Sequence, residues 1–211
     1  VELNILMNGF FNATFVEFDF PLDFHIMPKK KSNILFENQH IIIKTFPVKH
    51  SVPCNGFVLK EKKKCFNIKK EAVEKYKPSI EQIHRIKAGD DLVLENGLTI
   101  LNSEITIPPA DPKSYAFITD STSHASIIPF IEEVDLLYHE ATFAEDLKKR
   151  AKSTMHSTAR QAAETALKAK AGKLMIGHYS VRYENTDLLL NEAKEIFQNT
   201  ICSYEGLQIE V

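Results

Sequence analysis

Leu174-Met175-Ile176-Gly177-His178-Tyr179-Ser180-Val181-Arg182-Tyr183 is the stretch that decides the fold. Its three apolar residues, bounded by Gly172 and Gly177, read as a short, fully buried strand. A polar, helix-forming pattern starts near residue 187, so the strand leads through a loop into a helix. In open α/β sheets, the loops beyond the carboxyl ends of the strands are where ligands bind. His178 stands at that place, and a neutral imidazole can ligate a metal. Arg182 shares the loop, and its planar fork suits phosphate. Alone, the stretch reads equally as a buried histidine beside a surface arginine.

Outward from it, Thr158 and Gln161 form a capping box. They open a helix whose Ala159, Ala162, Ala163, Ala166 and Leu167 share one face and which Gly172 ends. Val134 to Tyr138 is a strand running into His139-Glu140-Ala141-Thr142-Phe143. Tyr115 to Thr119 is another, running into Asp120-Ser121-Thr122. Asp120 is a metal ligand, a general base or a helix cap, and its Ser-Thr neighbours favour the cap on local sequence. On the other side, Leu189, Ala193, Ile196 and Phe197 define an amphipathic helix. Short strands at Ile201 to Tyr204 and Leu207 to Val211 close the chain. This alternation of strands and helices predicts an α/β fold.

In the first half, Leu3, Leu6, Met7 and Phe10 predict an amphipathic helix already under way at the first residue. An uncapped start at Val1 points to a chain cut upstream. Alternation over Thr14 to Phe20 predicts a strand, and Lys29 to Lys31 a solvated turn. Ile34 to Phe36, Ile41 to Val48 and Phe57 to Leu59 are strands, with His50 in the turn after the second. Residues 60–87 form a basic excursion containing Lys62, Lys63 and Lys64, with helices from Lys69 to Tyr76 and around Ile80 to Ile86. It reads either as a surface helical hairpin or as a phosphate-contacting arm. Asn96-Gly97 turns a hairpin within Asp91 to Leu101.

A chain of 211 residues suits one domain or one and a fraction. A net charge of -2 gives no global basic field, so any nucleic-acid contact must come from local patches. Cys54, Cys65 and Cys202 lack metal-knuckle spacing and read as reduced cytosolic thiols. No apolar stretch approaches the ~20 residues of a membrane span, and no signal peptide is visible.

His50, Asp120, Glu140, His156 and His178 all fall at predicted strand or helix ends, which can converge at one rim of a sheet. Five stretches carry a resemblance. They are Val48-Lys49-His50-Ser51-Val52-Pro53-Cys54-Asn55-Gly56-Phe57, Tyr115-Ala116-Phe117-Ile118-Thr119-Asp120-Ser121-Thr122, His139-Glu140-Ala141-Thr142-Phe143, His156-Ser157-Thr158-Ala159 and Gly177-His178-Tyr179-Ser180-Val181-Arg182-Tyr183. In this order and spacing the chain resembles the C-terminal portion of the ribonuclease Z family, from about His50 onward.

The resemblance implies a metallo-β-lactamase fold, an αββα sandwich, with its N-terminal part missing from residues 1–211. It implies a zinc-dependent endoribonuclease that removes 3′ trailers from precursor tRNA, working as a cytoplasmic homodimer. By motif, His50 would ligate one zinc, His178 the other, and Asp120 would bridge them. His156 would assist proton transfer, Glu140 would orient it, and Ser180 and Arg182 would hold phosphate. The excursion at 60–87, with Lys62, Lys63 and Lys64, matches the position of a tRNA-gripping arm. The family's His-x-His-x-Asp-His run is absent, since the histidines at 25, 40, 50, 84, 124, 139, 156 and 178 contain no His-x-His pair. Without that run this chain would hold fewer than two ions and be inactive alone. Two other readings stay open: a hydrolase of the same fold acting on a small ester or lactam, and a non-catalytic tRNA-binding or structural half.

Overall fold

The computed structural model describes residues 2–14, 19–20 and 31–211. The elements are α1 (Glu2–Thr14), β1 (Asn33–Glu37), β2 (Ile41–Val48), β3 (Cys54–Glu61), β4 (Asn67–Ile68), α2 (Lys70–Tyr76), α3 (Ile80–Ala88), β5 (Leu92–Val93) and β6 (Thr99–Ile100). They continue with α4 (Asn102–Ile105), β7 (Thr106–Ile107), β8 (Ser114–Ile118), α5 (Ile128–Ile131), β9 (Leu136–Glu140), α6 (Lys148–Thr154), α7 (Ala159–Lys168), β10 (Lys173–Gly177), α8 (Asp187–Lys194) and β11 (Thr200–Cys202).

One seven-stranded sheet organises them, in the order β1-β2-β3-β8-β9-β10-β11. β1, β2, β3 and β8 pair antiparallel; β8, β9, β10 and β11 pair parallel. The parallel half follows from the helical crossovers α7 and α8, which return the chain to the same end of the sheet. One sheet face carries Val58, Ala116, Ile118, Leu137, Leu174 and Ile176 into the core with Ala159, Ala162, Ala163 and Ala166 of α7. Alanines at this spacing let the helix lie close on the strands. On the other face Tyr115, Phe117, Tyr138 and Met175 stay half-buried. A second large sheet, as an αββα sandwich has, is not among the described elements.

Between β3 and β8, residues 62–113 leave the sheet and form a unit with its own small core of Ala72, Ile86, Leu92, Ile100 and Ile105. Asn102 pins it: its side-chain amide donates to Ile86 O and Asp90 O, both at 2.8 Å, and its Oδ1 accepts from Thr106 at 2.8 Å. The predicted excursion at 60–87 was therefore too short. Its later half adds the predicted 91–101 hairpin, β5 with β6, and then the single turn of α4 and the two-residue β7, which carry no periodic pattern.

Several boundaries differ from expectation. Thr14 closes α1, and Phe15–Phe18 of the predicted 14–20 strand lie outside the described residues, as do Lys29 and Lys30. β9 runs two residues further than predicted, so His139 and Glu140 lie inside it. Gly172 does not end α7. Lys170 takes the left-handed turn with φ 51°, and Gly172 is needed because a Cβ there would stand 2.7 Å from Asp135 O. Leu207–Val211 pairs with no strand among the described residues. No described helix is long and apolar enough to cross a membrane.

Candidate active site

The carboxyl ends of β8, β9 and β10 meet the turn after β2 at one rim of the sheet. Thr122 N donates to Lys49 O at 3.0 Å, tying the Asp120 turn to the His50 turn. Ala141 N donates to Gly177 O at 2.8 Å, tying β9 to β10. All five predicted strand-end or helix-end residues come together here. His50, Asp120 and His156 form one group, and Glu140, His156 and His178 another, with ligand atoms within 4.8 Å of one another in each. The His156 ring centroid lies 5.1 Å from that of His50 and 5.3 Å from that of His178.

Glu140 is the hub. Its fully buried carboxylate accepts from Ser121 N at 2.6 Å, Ser157 N at 3.0 Å, Thr142 Oγ1 at 2.6 Å and His156 Nδ1 at 2.9 Å. Four donors compensate a charge that burial would otherwise make costly. They also fix tautomers. An ionised carboxylate only accepts, so His156 carries its proton on Nδ1 and turns Nε2 to the rim. Thr142 spends its hydroxyl proton on Glu140, so its oxygen accepts from His178 Nδ1 at 2.9 Å. His50 Nδ1 faces Met155 O at 3.0 Å and must donate to it. In each neutral ring the lone pair is thus left on Nε2.

His178 Nε2 lies 3.3 Å from Asp120 Oδ1. Two acceptors at that distance call for a proton or a cation between them. Three imidazole nitrogens with tied Nδ1 atoms and one carboxylate make the nitrogen and oxygen donor set of a zinc site, and manganese or cobalt also accept such sets. Asp120 and His178 have φ of 46° and 58°, and Met155, which precedes His156, has 58°. Left-handed non-glycine residues cost roughly 1–3 kcal/mol each and collect at functional sites. Asp120 caps no helix. The expectation from its Ser-Thr neighbours fails because the left-handed turn aims the carboxylate at His178.

Ser180 and Arg182 reach the same rim. Ser180 N donates to Thr142 O at 3.1 Å, and Ser180 Oγ accepts from Arg182 Nε at 2.9 Å. The guanidinium sits 5.3 Å from the Phe143 ring centroid, and its terminal nitrogens have no ion pair among the described residues. An open cleft of about 700 Å³ adjoins His50, lined also by Lys49, His124 and Ser126. Lys62, Lys63 and Lys64 are not at the rim. They follow β3 at the opposite end of the sheet. Lys62 pairs with Glu37 at 2.6 Å and Lys64 with Glu61 at 3.6 Å. Lys63 has no ion pair among the described residues.

His139 is no ligand. It is fully buried on the helical face, and its Nδ1 donates to Glu140 O at 2.7 Å. Sequence reading missed Thr142, whose bridging role depends on a contact between β9 and β10. The signal available was only its place two residues after Glu140.

Comparisons with known proteins bear on the family and the fold. No family model matches the chain. A protein of Parabacteroides distasonis named Ribonuclease Z is 43% identical over 192 residues, 91% of this chain and 63% of that protein. One of Bacteroides fragilis, also named Ribonuclease Z, is 39% identical over 210 residues, 100% of this chain and 68% of that protein. The chain thus spans about two thirds of the length of these relatives. Among solved structures, the metallo-β-lactamase fold protein YhfI of Bacillus subtilis matches with a TM-score of 0.51 at 19% identity, over 81% of this chain and 48% of that one. The short form of human tRNase Z matches with a TM-score of 0.51 at 20% identity, over 85% of this chain and 46% of that one. Those two likenesses give the metallo-β-lactamase fold, and the identity to the two bacterial relatives, carried over nearly the whole chain, places this chain in the ribonuclease Z family.

Proposed function

We propose that the protein is a metal-dependent endoribonuclease that removes 3′ trailers from precursor tRNA, with zinc at the rim. The observation that carries this reading is the convergence of His50, Asp120, His156 and His178 around the buried Glu140 in a chain of this family. His50, Asp120 and His178 are the residues that would hold the metal. Zinc bound there supplies positive charge that polarises the phosphate and lowers the pKa of an attacking water.

The other steps fall to side chains. Arg182, oriented by Ser180, offers its free N–H groups to phosphate oxygens. His156, fixed through Nδ1 by Glu140, presents Nε2 to the departing oxygen. A proton passed from Nε2 leaves the tRNA with a 3′-hydroxyl, and the Glu140 carboxylate stabilises the imidazolium that donates it. The insert at 62–113, with Lys62, Lys63 and Lys64 at its root, contacts the RNA backbone away from the scissile bond. A cytoplasmic homodimer belongs to the same reading, and light scattering at twice the subunit mass tests the dimer.

The deciding experiment gives the full-length gene product a precursor tRNA with a 3′ trailer, and separately a lactam and a simple ester. Cleavage after the discriminator nucleotide, leaving a 3′-hydroxyl on the tRNA, is expected. Turnover of the lactam or ester with intact RNA would move the reading to a small-molecule hydrolase.

A further inference from the structure

Tyr138 has no part in the chemistry above. It stands on the half-open face of the sheet, in register with Phe117 of β8 and Met175 of β10. Its ring stacks on that of Phe117 at 4.7 Å and 20°. From there the phenol reaches along the sheet towards the rim and ends over Gly177. A Cβ at Gly177 would collide with Tyr138 Oη, with Tyr138 Cζ at 2.6 Å and with Ser203 Oγ at 2.5 Å. Glycine is required here by close approach, because its own φ is not in the left-handed region.

Ser203 is itself held firmly. Its N–H is shared between Ile176 O at 2.8 Å and Tyr179 Oη at 3.0 Å, and the Tyr179 hydroxyl donates back to Ile176 O at 2.5 Å. Tyr138, Gly177 and Ser203 therefore form one packed contact directly before His178, one of the left-handed residues of the rim. The His178 backbone amide and the Ser203 hydroxyl are the polar neighbours of the phenol oxygen. The same ring rests on Phe117, three residues before Asp120. One side chain thus braces both strands whose ends face each other across the 3.3 Å gap.

We propose that Tyr138 is a positioning residue: its phenol, wedged between Gly177 and Ser203, holds the turn that aims His178 Nε2 at Asp120. The inference rests on His178 and Asp120 being metal ligands. It assigns roles to Tyr138 and Gly177 together. A shorter apolar residue at 138 could cover Phe117 but would not reach the rim, and any side chain at 177 would push the phenol away.

The test titrates the metal-free full-length gene product with cobalt(II) and follows visible absorption, with thermal melting of each metal-free variant alongside. Tyr138→Phe keeps the stack on Phe117 and removes only the hydroxyl. Gly177→Ala keeps the hydroxyl and displaces it. Both should weaken cobalt binding about 10- to 100-fold, the usual scale for a residue that orients a ligand. Both should shift the absorption band, while Tyr138→Phe melts close to the parent. His178→Ala is the control and should lose an ion. Parental cobalt affinity and spectrum in Tyr138→Phe, with the ion lost in His178→Ala, would overturn the positioning role alone. Parental cobalt binding in His178→Ala would instead remove the ligand reading on which it stands.

Discussion

His178 Nε2 and Asp120 Oδ1 face each other at 3.3 Å, each delivered by a left-handed residue at the end of a parallel strand. Neither backbone would adopt that conformation freely, so the pair is held by its surroundings. With His50 it gives three ligands for the two-ion site implied above. The 211-residue chain should therefore retain well below two zinc ions after dialysis, read by elemental analysis, because even one structural zinc normally takes four ligands. Two tightly held ions would show that further ligands exist in this chain.

Thr142 links the two halves of the site through one hydroxyl. Thr142→Val removes a donor from the buried Glu140 and an acceptor from His178 Nδ1. A buried group left unsatisfied costs about 1–3 kcal/mol, so the melting temperature should fall. The His178 ring, free to change tautomer, should bind metal roughly 10- to 100-fold more weakly. Thr142→Ser should restore both. A valine variant with parental metal affinity would remove Thr142 from the site.

His156 and His178 should separate on two measurements. In the full-length protein His156→Ala should keep its metal and lose about 10²–10⁴ in kcat, the scale for a positioned proton donor. His178→Ala should lose metal as well as rate. Bound metal and single-turnover cleavage, measured on both, distinguish the roles. Loss of metal in His156→Ala would make it a ligand, which its place in both ligand groups allows.

His139 predicts an acid limit to stability. Burial pushes its pKa below the ordinary 6.5, against the opposing pull of Glu140, and desolvation first, then Lys49, does the same to His124. In both cases the unfolded chain takes up the proton first. Their contribution is therefore fully present above pH 6.5 and declines as the pH falls from there towards the folded pKa. The slope is at most about 1.4 kcal/mol per pH unit for the buried His139, and solvent screening leaves less for the more exposed His124. Denaturant melts from pH 7.5 to 5 should show this fall, and His139→Gln should flatten it. Equal slopes in parent and variant would assign the loss to other groups.

The lysines at the root of the insert should act through charge. Replacing Lys62, Lys63 and Lys64 by alanine should weaken RNA binding and flatten its salt dependence by up to ~0.9 log units per lost phosphate contact on a duplex. Most of the effect should come from Lys63, since Lys62 and Lys64 already have carboxylate partners. A salt slope equal to the parent's would return this segment to plain surface.

The strand ends were legible because an apolar run followed by His, Asp or Glu marks the point where a buried strand reaches water. His50, Asp120, Glu140 and His178 were singled out that way and His156 by its place just before a helix, whose capping box at Thr158 and Gln161 forms as its spacing requires. What stayed hidden depends on contacts between strands. Glu140 reads as a residue after a strand, yet it is the last residue of one, and its burial is set by amides of Ser121 and Ser157 far away in sequence. Gly172 looks like a helix stop, but its purpose is to pass Asp135. Within the insert's second half the Asn96-Gly97 hairpin was legible and forms as β5 paired with β6, whereas the two-residue β7 and the single turn of α4 have no period to detect.

The insert leaves and rejoins the sheet at Glu61 and Lys113, while the rim lies beside Cys54 and Asp120. On the proposed reading β3 is a spacer bar between two work stations. Its seven steps at about 3.3 Å set them roughly 23 Å apart. A single nucleotide, an ester or a lactam can occupy one station but is too small to touch both. On that reading an extended polymer is gripped at one end and cut at the other, and lengthening or trimming the insert would change the grip without disturbing the blade.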